Sequence, residues 1–206
     1  MGIVMSSRRG CCTARYILTA ALWLAASPAS ALDEKSDEKE MLKACEQRAC
    51  EIILKKEAKG DDLKCAIGKT WSKAKIKDGI EKKISWGFGD ARCTIDVAML
   101  RNAMVDVLTK PEGTLEISKH TVKCEVEREN EVTPINISLA PKITFKDGKA
   151  QKAWLNISEI EAPSIVKGAI WTAAKVEDTV GLFHSEMISE INEFVQQKCA
   201  QRYPQK

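Results

Sequence analysis

The sequence predicts an α+β domain in which an antiparallel β-meander of about four or five strands is covered by N-terminal and C-terminal helices and stabilised by disulfides. Three observations predict it. Apolar residues recur at helical spacing near both ends of the chain, alternating apolar and polar residues fill positions 114–160, and an even number of cysteines follows an export signal. A sheet with alternating residues has one face that needs covering, and the flanking helices can cover it.

The first residues predict export. Three arginines precede an apolar run over residues 16–26, which ends in the cleavage pattern Ala29-Ser30-Ala31. This run is shorter than the roughly 20 residues of a spanning helix, and no later run is long enough. We therefore expect a secreted or periplasmic protein without a transmembrane segment after cleavage. The twin arginines leave the Tat route open beside general secretion.

Three segments follow from this interpretation: a cleaved signal at 1–31, a charged lead-in at 32–37 and a single domain at 38–206. The signal holds three arginines and no acid, so 29 basic side chains face 29 acidic ones in the mature chain. Its formal net charge is zero, and the basic isoelectric point of the precursor is no indication of nucleic-acid binding.

The cysteines of the mature chain predict three structural disulfides, since an even number in an exported chain is typical of such a framework. There is no C-x-x-C motif, and with two histidines in the whole chain we expect neither a metal site nor a cofactor. The six cysteines are Cys45, Cys50, Cys65, Cys93, Cys124 and Cys199.

One disulfide pairing is argued against by geometry. If Cys45 and Cys50 lie in one helix, a rise of about 1.5 Å per residue separates their Cα atoms beyond the roughly 7 Å limit for a bridge. Each is then expected to bond elsewhere. Cys199 is a candidate partner for one of them, in which case it ties the two ends of the domain together.

Helical spacing predicts a first helix from about Glu38 to Lys56 and a second from about Leu63, although Lys73 to Lys77 also alternates like a strand. A strand at 93–99 and a short helix at 101–109 are predicted next. The residues that define the first two helices are Leu42, Cys45, Ala49 and Ile53, then Ile67, Trp71 and Ala74.

The meander is predicted between residues 114 and 160. The sequence "KDGK" at 146–149 indicates a hairpin, because Asp-Gly accepts the positive φ values of a type I′ turn. Pro134 and Pro141 lack an N–H and are expected at strand starts, bulges or an edge.

Two further helices are expected after the strands. A shorter one runs from Pro163 to about Lys175, and a longer one presents an apolar stripe that Cys199 continues. The stripe consists of Val180, Phe183, Met187, Ile191, Phe194 and Val195.

The stretch "ISWGFGDARC" at 84–93 is a candidate binding loop. Trp86 and Phe88 could stack on a sugar or an apolar ligand, with Asp90 and Arg92 fixing polar groups. The alternative, which we favour, is a glycine-containing turn whose aromatic side chains fill the core before Cys93 enters a strand.

A second candidate surface is rich in lysine. Seven lysines lie between residues 64 and 83, among them Lys73, Lys75 and Lys77. They could attract anionic lipid or an acidic partner, whereas the alternative is a solvated helix face.

Catalytic motifs are absent from the sequence, and we expect no enzyme. His120 falls among the strands, while His184 and Glu186 mark the place where an unrecognised hydrolase site would lie. Two Asn-Ile-Ser sequons, at Asn136 and Asn156, would carry glycans only in a eukaryotic secretory pathway.

The sequence thus favours an exported, non-enzymatic binding domain for an apolar or amphipathic ligand such as a lipid. The alternatives are an interaction or envelope-associated factor that uses its lysines, and a hydrolase. A further alternative to all three is that the apolar side chains form only the core and no ligand cavity.

Overall fold

The computed structural model describes residues 32, 34–80, 86–128, 131–180 and 184–204. The predicted export signal lies outside these residues. Among the described residues, none of the helices combines the length and the apolar composition of a membrane-spanning segment.

Eight strands form two antiparallel sheets. The strands are β1 Leu63–Trp71, β2 Ala91–Met99, β3 Glu112–Glu116, β4 His120–Arg128, β5 Glu131–Leu139, β6 Lys142–Lys146, β7 Lys149–Trp154 and β8 Ile157–Glu161. The larger sheet has five strands in the order β1-β2-β4-β5-β8, and the smaller has three in the order β3-β6-β7.

Helices precede, interrupt and follow the strands. The last three helical elements run on from one another, with a π-helical turn at Phe194–Lys198 between α5 and α6. The α-helices are α1 Glu38–Lys55, α2 Lys73–Ile80, α3 Arg101–Thr109, α4 Ser164–Val180, α5 His184–Glu193 and α6 Cys199–Arg202.

The α+β class is confirmed, but the second predicted helix is wrong at its start. Residues from Leu63 to Trp71 form β1, and each of them pairs with β2, from Leu63↔Met99 to Trp71↔Ala91. Ile67 and Trp71 are four residues apart, which also fits the period of two of a strand, and long-range pairing decided the conformation. A helix follows only from Lys73, as α2.

The predicted hairpin is confirmed. Asp147 and Gly148 have φ values of 50° and 69°, and the flanking Lys146 and Lys149 pair across the turn. Pro134 lies in β5 opposite Glu125 of β4, and β8 pairs with β5 only from Asn136 onward, so β5 is at the edge of the sheet on this side at Pro134.

One apolar core lies between α1, α3 and the small sheet. Ile52 of α1, Val105 of α3 and Phe145 of β6 are among its buried members. Ile191 and Phe194 of the predicted stripe pack against it, together with Ile188, which was not predicted to belong to the stripe. The stripe side chains at 180 and 183 lie outside those described.

A second core covers the large sheet. Val126 of β4 and Ile135 of β5 are buried there with Val166 of α4. Trp86 and Phe88 pack against this core from the segment before β2.

Three disulfides join these elements. Cys45 bonds to Cys65 of β1, and Cys93 of β2 bonds to Cys124 of β4. The third disulfide joins Cys50 to Cys199, both with 0% of their surface exposed, so the first helix is tied to the last. Cys45 and Cys50 therefore pair elsewhere, as helical spacing predicts, and three disulfides are typical of domains that fold in an oxidising compartment.

Candidate functional site

The large sheet divides at one end of β2. β1 pairs with β2 over its whole length, but β4 pairs only with Ala91–Thr94, ending at Thr94↔Lys123. Beyond that point β2 and β4 are no longer paired. The disulfide between Cys93 and Cys124, which are opposite each other in the ladder, holds the strands together next to the division.

The ring of His120 connects the separated strands. Its Nε2 accepts a hydrogen bond from the N–H of Ala98 at 2.9 Å, and its Nδ1 contacts the carbonyl oxygen of Ser118. An accepting Nε2 requires the neutral tautomer that carries its proton on Nδ1. The side chain of His120 thus accepts the N–H of Ala98, which has no partner in the backbone of β4 because the two strands are not paired there. His120 is 8% exposed.

A cleft of about 340 Å³ opens beside this connection, between the end of β2 and the end of β3. Its apolar side chains come from two separate segments, and Leu100, at the turn into α3, is 60% exposed. The cleft is lined by Asp62, Lys64, Ala98, Met99, Leu100, Leu115, Glu116, Ile117 and Ser118.

The two carboxylates of the cleft have partners. Asp62 Oδ1 accepts the N–H of Arg101 at 3.0 Å, at the start of α3, where helix dipoles favour negative charge. Glu116 pairs with the ammonium group of Lys142 at 3.0 Å. Lys64 contributes the remaining charge, and within the described chain its ammonium group has no ion-pair partner.

A second cleft, of about 300 Å³, lies near the turn of the β6–β7 hairpin. It is lined by Ile53, Leu54, Lys56, Leu108, Asp147, Gly148, Val195 and Gln196. The side chain of Gln196 donates a hydrogen bond to the carbonyl oxygen of Gly148 across this cleft, so these two polar groups bond to each other.

The aromatic residues of the candidate binding loop contact each other and the core. The rings of Trp86 and Phe88 meet edge to face, with 5.1 Å between their centroids. The indole N–H of Trp86 donates to the carbonyl oxygen of Gly89 at 2.9 Å. These contacts are those of a packed turn, and binding by the loop stays a prediction.

Asp90 and Arg92, the charged residues of that loop, go to different places. Asp90 accepts the backbone N–H of Lys73 at 2.7 Å and so caps the first turn of α2. Arg92 lies 3.5 Å from a carboxylate oxygen of Glu38 and 3.1 Å from the hydroxyl oxygen of Thr70. The structure therefore does not bring the four predicted loop residues together around one cavity.

Glu38, the carboxylate partner of Arg92, is buried, with 4% of its surface exposed. Burial raises the pKa of its carboxyl group, but the hydrogen bonds that it accepts from Thr70 and Lys35 outweigh this effect. The pKa is lowered from the ordinary value of 4.5, and the charge of Arg92 contributes to the shift. Glu38 therefore remains ionised and fastens the start of α1 to β1.

The predicted lysine surface includes the first turns of α2. The side chains of Lys73 and Lys75 are exposed, whereas that of Lys77 is half-buried. The described residues omit positions 81–85, and with them two of the seven lysines. An acidic partner for this surface stays a prediction.

The residues of the hydrolase hypothesis point in different directions. His184 Nδ1 lies 3.1 Å from the carbonyl oxygen of Ala153 in β7, and its ring meets that of Trp154. The hydroxyl of Ser185 instead donates to Glu186 at 2.9 Å. The contact of His184 joins α5 to β7, whereas that of Ser185 stays within α5, and a catalytic role stays a prediction.

The sequon asparagines are used differently. Asn156, at φ 49°, donates from Nδ2 to the carbonyl oxygen of Ala140, and Asn136 donates to Glu161. In the described ranges, no group of three or more His, Cys, Asp and Glu side chains is placed to hold a metal ion.

Sequence reasoning did not identify the cleft. Its apolar residues, Met99, Leu100, Leu115 and Ile117, belong to segments predicted only as strand and helix. The one available signal was Leu100, an apolar residue between a strand and a helix. Comparisons with protein-family models, with curated proteins and with solved structures gave no significant match.

Proposed function

We propose that the protein is an exported, non-enzymatic binding domain whose binding site is the cleft between β2 and β3. The three disulfides support folding in an oxidising compartment, and the export pattern of the N-terminal sequence supports secretion. The observation that carries the ligand proposal is the exposed apolar side chain of Leu100 at the mouth of a cleft with an apolar floor.

The ligand is small and amphipathic. Pockets for small molecules usually measure about 300–1,000 Å³, so a cleft of about 340 Å³ takes one short apolar group. Leu115 is buried at its base and Met99 is half-buried, while Lys64 and Glu116 provide a polar rim. The remainder of such a ligand stays in contact with water and with the rim.

Octanol is a suitable first probe, because it carries a short apolar chain and no charge. We expect a saturable titration in amide NMR spectra, with shifts confined to 98–100 and 115–118. L100K should abolish these shifts, since a charge at the mouth disfavours an apolar ligand.

I165K is the matched control. Ile165 of α4 is 70% exposed and lies outside the cleft, so the same change of side chain should leave octanol binding intact. Absence of saturable shifts at the cleft amides, or equal binding by L100K and the wild type, would contradict the proposal.

A further inference from the structure

Two of the three charged side chains that line the cleft already have partners within the protein. Asp62 is engaged at the start of α3 and Glu116 pairs with Lys142. Lys64 lines the same cleft, is exposed, and has no ion-pair partner in the described part of the chain. Among the charged groups of the cleft, the ammonium group of Lys64 is therefore the one that is available to a ligand.

The position of Lys64 suits a head group. It is opposite Ala98 in the β1–β2 register, so both residues lie on the same face of the sheet, and both line the cleft together with the exposed Leu100 that follows β2. A long flexible side chain whose stem lies along apolar surface presents its ammonium group at the water boundary. An amphiphile with its chain in the cleft would place its polar end at this boundary.

We infer that the cleft prefers amphiphiles with an anionic head group, and that Lys64 binds this group. The inference rests on the proposed function, because it assumes that the apolar chain occupies the cleft. A carboxylate and a phosphate share the chemistry required, since the lysine ammonium acts as a compact charge that does not need a bidentate partner.

The experiment compares octanoate, octyl phosphate and octanol, which have the same chain and different head groups. For the wild type, we expect both anions to bind about two- to five-fold more tightly than octanol, which is the range of an exposed ion pair. Comparing octanoate with octyl phosphate distinguishes a carboxylate preference from a phosphate preference. Raising the salt concentration from about 0.05 M to about 0.5 M should weaken the binding of the anions and leave that of octanol unchanged.

K64M removes the charge and keeps an apolar stem, so it should bring the anions to the affinity of octanol without changing octanol binding. K69M is the matched control, because Lys69 is on the same strand at an odd offset and hence on its opposite face. The amide spectra verify that both variants are folded.

The outcomes separate the two proposals. If octanol binds in a Leu100-dependent way but the anions bind no more tightly, or if K64M leaves anion binding unchanged, the head-group inference is wrong and the binding function stands. If none of the three amphiphiles binds at the cleft, both proposals are wrong.

Discussion

Removal of the disulfide between the first and last helices should destabilise the protein more than removal of the disulfide between α1 and β1. The bond between Cys50 and Cys199 spans 149 residues, and loop-closure entropy assigns it about 5 kcal/mol. The bond between Cys45 and Cys65 spans 20 residues, for which the same relation gives about 3 kcal/mol. Both values describe the unfolded chain, whose freedom each bond restricts.

The assay is urea unfolding of the wild type, C50A/C199A and C45A/C65A without reductant. We expect the urea midpoint of C50A/C199A to be the lowest of the three. In thermal unfolding of the same proteins, its melting temperature should be about 4–8 °C below that of C45A/C65A. Loss of packing at two fully buried positions acts in the same direction. If C50A/C199A is as stable as C45A/C65A or more stable, loop length does not determine these contributions and the reasoning fails.

Four further substitutions test individual contacts and two glycine positions. E38Q should lower the free energy of unfolding by about 1–3 kcal/mol near neutral pH. Because the pKa of Glu38 is lowered in the folded protein, this difference from the wild type should be complete above pH 4.5 and shrink as the pH falls below it. Unfolding of both proteins at several pH values would measure the difference. H120F keeps an aromatic ring but leaves the N–H of Ala98 without its acceptor, so hydrogen exchange of that amide should accelerate, and unchanged protection would show that the ring is not its partner. G148A should destabilise the protein by about 1–2 kcal/mol, because φ is 69° at this position. G168A in α4 should stabilise it by about 0.5–1 kcal/mol, because a Cβ atom there would meet open space. Equal effects of the two substitutions in thermal unfolding would disprove this distinction.

The sequence was most informative where a local rule determines the structure. Asp147-Gly148 indicated its turn because few dipeptides accept positive φ twice. The spacing of Cys45 and Cys50 excluded their pairing because helix rise is fixed. The start of the second predicted helix failed because its residues fit two periods, and only pairing with β2 distinguishes them.

The cleft could not be predicted in this way. Leu100 and Ile117 are separated along the chain, and they meet because β2 leaves β4 after Thr94 while β3 joins another sheet. No local pattern specifies where a strand ceases to pair. The pairing of Glu116 with Lys142 likewise depends on the register of β3 and β6, and so does the identification of Lys64 as the remaining charge.

The order of the cysteines along the chain has a consequence for biosynthesis. Cys50 lies between Cys45 and Cys65, which bond to each other, and its own partner, Cys199, follows 149 residues later in the chain. If the chain is oxidised while it emerges into an oxidising compartment, Cys50 stays without its native partner long after Cys45 and Cys65 have both arrived. An oxidase that joins cysteines in order of appearance would first link Cys45 to Cys50, and this bond must be exchanged before α1 is complete. Efficient maturation therefore depends on thiol–disulfide exchange, and a disulfide isomerase should raise the yield of native protein more than additional oxidant does.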